Sequence, residues 1–138
     1  AAVAGSVVLD AQASSSNQRR ALSINPGSSG VVQLIGLNIT RGYAQNGGGV
    51  YVQGGTVVIS SCTISGNQAP NFGGGVVVNS GTVTITSSSI YGNTAGGYST
   101  GYGGGVYISS GTVTITSSSI DGMQLQLAVV SMSGILAE

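Results

Sequence analysis

A parallel β-solenoid is the fold class this sequence predicts, and three observations predict it. Glycine triplets begin at residues 47, 73 and 103, so copies of one unit recur 26 and 30 residues apart. A period in that range marks a repeat architecture. Within each unit, apolar residues recur at every second position, as Val83 and Ile85 do between Thr82, Thr84 and Thr86, the pattern of strands with one buried face. Superposing the units stacks six inward columns: Val50/Val76/Val106, Val52/Val78/Ile108, Val57/Val83/Val113, Ile59/Ile85/Ile115, Cys62/Ser88/Ser118 and Ile64/Ile90/Ile120. Column members would lie one strand spacing, about 4.8 Å, apart. Five columns are wholly aliphatic and nearly constant in volume, as a shared core slot requires. The expected fold is all-β, a parallel β-helix of about four to five coils, each of three short strands.

The elements follow in order. Val7-Val8-Leu9 is a short apolar run ended by Asp10 and reads as the first strand. Residues 11–20 are polar and turn-like, and they carry the arginine pair Arg19-Arg20. Leu22 and Ile24 flank Ser23 in alternation before Asn25-Pro26-Gly27 stops the strand. Val32, Leu34, Leu37 and Ile39 match Val57, Ile59, Cys62 and Ile64 at a constant offset, which places an atypical coil before the clear repeats. The insertion before Gly103, which carries Tyr98 and Tyr102, belongs in a loop on one face of the solenoid. Gly66-Asn67 and Gly92-Asn93 close their coils identically. Asparagine tolerates a left-handed turn and can bond a stacked neighbour. Residues 1–122 are thus expected to form the β-helix, with atypical first coils over 1–46 and clear repeats over 47–122. Residues 123–138 leave the pattern. Leu125, Leu127 and Val129 alternate there, so this tail is expected to cap the stack or dock it onto a partner, as one more strand or as a flap.

Composition excludes several classes of function. The six charged residues, Asp10, Arg19, Arg20, Arg41, Asp121 and Glu138, balance to zero, and there is no lysine. Nucleic-acid binding rests on many Lys/Arg–phosphate contacts, so no nucleic-acid partner is expected. Without histidine and with Cys62 as the only cysteine, neither a metal cluster nor an internal disulfide is expected. Cys62 reads as a small apolar side chain in a core slot. No apolar run approaches the ~20 residues of a membrane span; Gln126, Ser131, Ser133 and Gly134 interrupt the nearest candidate. Nothing points to a cofactor. The glycine triplets are not phosphate loops, because no Gly-Lys-Ser/Thr follows them.

Ile64-Ser65-Gly66-Asn67-Gln68-Ala69 followed by Gly73-Gly74-Gly75-Val76 resembles the repeats of polymorphic outer membrane proteins. In those adhesins each coil carries a phenylalanine-x-x-asparagine element and a Gly-Gly-Ala-Ile element. Ile64 stands where the phenylalanine would be, and Gly74-Gly75-Val76-Val77 replaces the second element. The resemblance spans roughly residues 31–122 at the level of the repeat. It implies a right-handed, pectate-lyase-like β-helix in a secreted or cell-surface protein.

The pectate-lyase-like class also holds lyases and hydrolases, so the acids decide. Glycoside hydrolysis needs two carboxyl groups within about 5–9.5 Å. Asp10, Asp121 and Glu138 fall near opposite ends of the expected stack, and no histidine can act as a base. No catalytic residues are expected. The chain reads as a non-catalytic extracellular structural or adhesive module, with proteins, further copies of itself or a glycan as partners. The alternative is a module that binds carbohydrate or ice through a flat threonine face, formed by Thr82, Thr84 and Thr86 with Thr112, Thr114 and Thr116 one coil later. Ordinary β-propensity accounts for those threonines equally well. Asn38-Ile39-Thr40 is an N-glycosylation sequon whose Asn38 is expected to face solvent. Tyr43, Tyr51, Tyr98, Tyr102 and Tyr107 lie near the glycine-rich loops, either to stack on sugars or proteins or to cover the first strand's outer face.

Overall fold

The computed structural model describes residues 7–96, 103–134 and 136–137. The chain enters through β1 (Val7–Asp10) and then winds a first coil of β2 (Leu22–Ile24), β3 (Val31–Ile35) and β4 (Leu37–Thr40). The second coil is β5 (Val50–Val52), β6 (Thr56–Ser60) and β7 (Thr63–Ser65), with β8 (Gln68–Ala69) in its closing loop. The third repeats it as β9 (Val76–Val78), β10 (Thr82–Thr86), β11 (Ser89–Tyr91) and β12 (Thr94–Ala95). In the fourth coil, β13 (Val106–Thr116) runs unbroken through the corner that divides β5 from β6, and β14 (Ser119–Ile120) follows. β15 (Met123–Ser133) and β16 (Leu136–Ala137) complete the described chain.

The named strand pairs are parallel. One sheet runs β1-β4-β7-β11-β14-β16, and the other two faces join through β13 into a single path, β2-β5-β9-β13-β10-β6-β3. This is a parallel β-helix of about four turns, with the stacked register that the columns predict. Val83 pairs in register with Val57 and Val113, and Ile85 with Ile59 and Ile115. Val76 likewise lies between Val50 and Val106, and Ile90 between Ile64 and Ile120. The atypical first coil obeys the same register, Val32 against Val57 and Leu34 against Ile59. Val50, Ile59, Ile64, Val83, Ile85, Ile90, Val113 and Ile115 are fully buried in one continuous core. Side chains of this size gain roughly 1.5–3 kcal/mol each on burial.

The corners refine the expectations. The left-handed residues at one corner are Gly66 and Gly92, with φ of 68° and 62°, so glycine and not asparagine makes that turn. Asparagine stands one position later, buried, and does the bonding. Asn67 Nδ2 donates to Asn93 Oδ1 at 3.0 Å and to the carbonyls of Ile39 and Ser65 at 3.1 Å. Asn93 Nδ2 donates to the carbonyls of Ile64 and Tyr91. Each amide thus satisfies carbonyls that a corner would otherwise leave unpaired inside the protein.

A second corner column is polar for the same reason. Ser88 Oγ accepts from the Cys62 amide at 3.1 Å, and Ser118 Oγ accepts from the Ser88 amide. Cys62 is buried there, with its Sγ 3.3 Å from the carbonyls of Leu34 and Ser60. The slot is therefore a hydrogen-bonding one that a thiol also fits, rather than simply apolar.

The tail continues the winding. β15 pairs with β13 from Met123 opposite Val106 to Ser133 opposite Thr116, and β16 pairs with β14. The edge at Val113 and Ile115 is covered by this strand.

Candidate functional site

The threonines occupy the outward side of β10 and β13. Val83 and Ile85 point inward from β10, so period-two geometry turns Thr82, Thr84 and Thr86 outward. Thr112, Thr114 and Thr116 lie directly against them in register. Thr82 and Thr112 are exposed, whereas the other four are half-buried by their column neighbours. Thr116 Oγ1 and Thr86 Oγ1 hydrogen-bond across the strands at 3.0 Å. The hydroxyl grid is bounded on one side by Thr56, Val58 and Ser60, and beyond these by Val31, Gln33 and Ile35. Val31 and Ile35 are more than half exposed, so this face grades from apolar to hydroxyl-bearing along the axis.

Next to it lies a groove that sequence reasoning did not single out. Asn25, Gln53 and Asn79 each follow the last inward residue of a first strand, Ile24, Val52 or Val78. They form an exposed amide column along the corner. Aligning the coils on those inward residues would have revealed it. Asn25 and Gln53 of this column and the exposed Thr56 and Thr82 wall a cavity of about 380 Å³, with Ser80 and the Gly54-Gly55 backbone between them. Ser80 Oγ donates to the Gln53 carbonyl at 2.5 Å, and Ser110 Oγ repeats this with Asn79 one coil later.

Two of the tyrosine candidates are engaged within the protein. Tyr107 is buried and stacked on Phe72, ring centroids 4.6 Å apart. Tyr51 lies under the Arg20 guanidinium at 4.5 Å. Arg20 also donates to the carbonyls of Gly47 at 2.9 Å and Asn46 at 2.8 Å, so it ties a loop down. Tyr43 lines a small cavity with Gln68, Pro70 and Thr94. Tyr98, Tyr102 and Glu138 lie outside the described residues. Asn38 stands on β4 in register with Val8 and Thr63 and is half-buried, with its Oδ1 enclosed and unpaired, rather than turned freely to solvent.

The two acids among the described residues, Asp10 and Asp121, are far apart. Asp10 forms an ion pair with Arg41, whose Nε donates to Oδ1 at 2.8 Å. That hydrogen bond holds the carboxyl below its ordinary range. Asp121 follows β14 in the same sheet. Four strand steps separate the two positions, roughly 19 Å at about 4.8 Å per step. Among the described residues, no three His, Cys, Asp or Glu side chains gather to hold a metal. No helix is long and apolar enough to cross a membrane.

A family model described as a right handed beta helix region matches residues 14–136. No curated protein and no solved structure matches the chain.

Proposed function

Since this chain belongs to the right-handed beta helix family, we propose that it is a non-catalytic structural and adhesive module of a secreted or cell-surface assembly. The family holds enzymes as well as non-enzymes, so the reading rests on the two acids among the described residues. The observation that carries it is the four-strand separation of Asp10 and Asp121, about twice the widest span over which two carboxyls cooperate on a glycosidic bond. Asp10 is moreover held by Arg41. Incubation with neutral and acidic polysaccharides is expected to release no reducing ends and no unsaturated products. Turnover that disappears in Asp10→Asn or Asp121→Asn overturns the proposal.

Assembly is the structural half of this reading. Partners would be further copies or other proteins bearing a free strand edge, because an unpaired edge is a template for another strand. Residues 123–138 would then act as the cap over β13. Their deletion bares the eleven-residue β13 edge, and the shortened chain is expected to associate end to end by strand addition. Sedimentation velocity reads this directly. A truncated chain that stays folded and monomeric removes the capping role.

A second reading has its own support. The in-register threonines and the Thr86–Thr116 hydroxyl bond give an ordered, uncharged face suited to carbohydrate or ice.

A further inference from the structure

The corner groove has a definite chemistry. Its walls are two amides, Asn25 and Gln53, and three hydroxyls, Ser28, Thr56 and Thr82, with Ser80 between them and no charged residue in the lining. An amide presents donors and an acceptor together, and a hydroxyl does both at one atom. Ser80 Oγ gives its proton to the Gln53 carbonyl and so faces the groove as an acceptor. The floor is open because position 54 is glycine. A Cβ added there would point between Ser80 Oγ at 3.7 Å and Asn25 Oδ1 at 4.0 Å. The groups recur at the strand spacing, about 4.8 Å, along the solenoid axis. Asn79 continues the amide column and Thr112 the hydroxyl column one coil further.

We propose that this groove binds a neutral polysaccharide laid along the solenoid axis, across the strands. Sugar hydroxyls both donate and accept, which the amide and hydroxyl columns match on either side. A polymer whose repeat is close to the strand spacing, or to a multiple of it, meets an amide and a hydroxyl together in the second coil, at Gln53 and Thr56, and again in the third, at Asn79 and Thr82. A polyanion or polycation finds no counter-charge in the lining and gains nothing there. The inference names the ligand class of the adhesive reading and rests on it.

The test is a titration of the full isotope-labelled chain with cello-, xylo- and manno-oligosaccharides, with oligogalacturonate as the charged control. The backbone amides of Gln53, Gly54, Thr56, Ser80 and Thr82 are expected to shift with at least one neutral oligosaccharide, at dissociation constants of about 1 mM or below. Gly54→Phe, which fills the floor, should abolish those shifts. Gln53→Ala removes an exposed side chain and should weaken binding about fivefold while leaving the melting temperature unchanged. It keeps the proposal testable if the phenylalanine variant fails to fold. Absence of shifts at these amides with every neutral oligosaccharide at about 10 mM overturns the proposal. So do equal shifts with oligogalacturonate, or shifts confined to Thr84 and Thr114 on the neighbouring face. Polysaccharide turnover and sedimentation behaviour are read separately, so loss of the glycan leaves the non-catalytic and assembly readings to stand or fall on their own measurements.

Discussion

Val83→Asp should leave no folded protein. Val83 is fully buried at the centre of a column, with Val57 on one side and Val113 on the other. A carboxylate there has aliphatic neighbours above and below and no cation within the core. Removing an ionised carboxylate from water without a partner costs several kcal/mol even after the protein relaxes. Protonating the group lowers the charge penalty but still buries an unmatched polar group. A domain is stable by only about 5–15 kcal/mol, so most of that margin disappears. In a solenoid the damage spreads, because each coil buries its core only against its neighbours. The control is one residue away. Thr84 points outward from the same strand, and Thr84→Asp should cost no more than about 1 kcal/mol. Circular dichroism with thermal melting separates the two variants. A soluble, β-rich Val83→Asp protein with the wild-type melting temperature would contradict the inward assignment of the whole column.

Gly74→Ala is expected to be strongly destabilising although it adds a single methyl. A Cβ at this position would lie 2.2 Å from the Thr94 carbonyl oxygen and within 2.8 Å of the Thr94 nitrogen and carbonyl carbon. These are backbone atoms of β12, which is itself held to the coil before it by the Thr94 amide on the Asn67 carbonyl. No rotamer can relieve the overlap, so two stacked coils must part. Overpacking costs roughly 1–3 kcal/mol and occasionally more, and an overlap with rigid backbone belongs at the upper end. Gly92→Ala is the useful comparison. Gly92 has a left-handed φ of 62° but nothing within 4 Å of its added Cβ, so only the backbone conformation is penalised, by about 1–2 kcal/mol. Denaturant unfolding of both variants should rank Gly74→Ala well below Gly92→Ala. Equal midpoints would mean that the loop does not pack as closely on Thr94 as the structure has it.

The two variants also mark where sequence patterning informs and where it stops. Val83 was legible as a core residue because alternation decides which face a strand residue takes, and the constant offset between coils decides what lies above it. The same offset identified the atypical first coil, although its residues are larger and its glycines fewer. The outward threonines were legible for the same reason. The groove was not, because Asn25, Gln53 and Asn79 lie at a corner, where no period of two or of 3.6 operates.

By itself, then, the sequence determined the inward columns of the repeats, their register and the aliphatic core that they form, since these follow from a local period repeated at a fixed interval. It also determined how few acids there are, and so how little acid–base chemistry is open to the chain. The tertiary structure alone decided which corner residue carries the left-handed turn. Glycine takes it at positions 66 and 92, which frees Asn67 and Asn93 to turn inward and bond successive coils. It decided that Tyr107 is buried against Phe72 and that Arg20 is drawn to the Asn46 and Gly47 carbonyls. It likewise decided that β13 runs straight through a corner and that residues 123–133 pair along it. Each of these depends on unsatisfied backbone groups or ring faces contributed by another coil or loop. Alternation along a strand carries no information about such partners; they exist only once the coils are stacked.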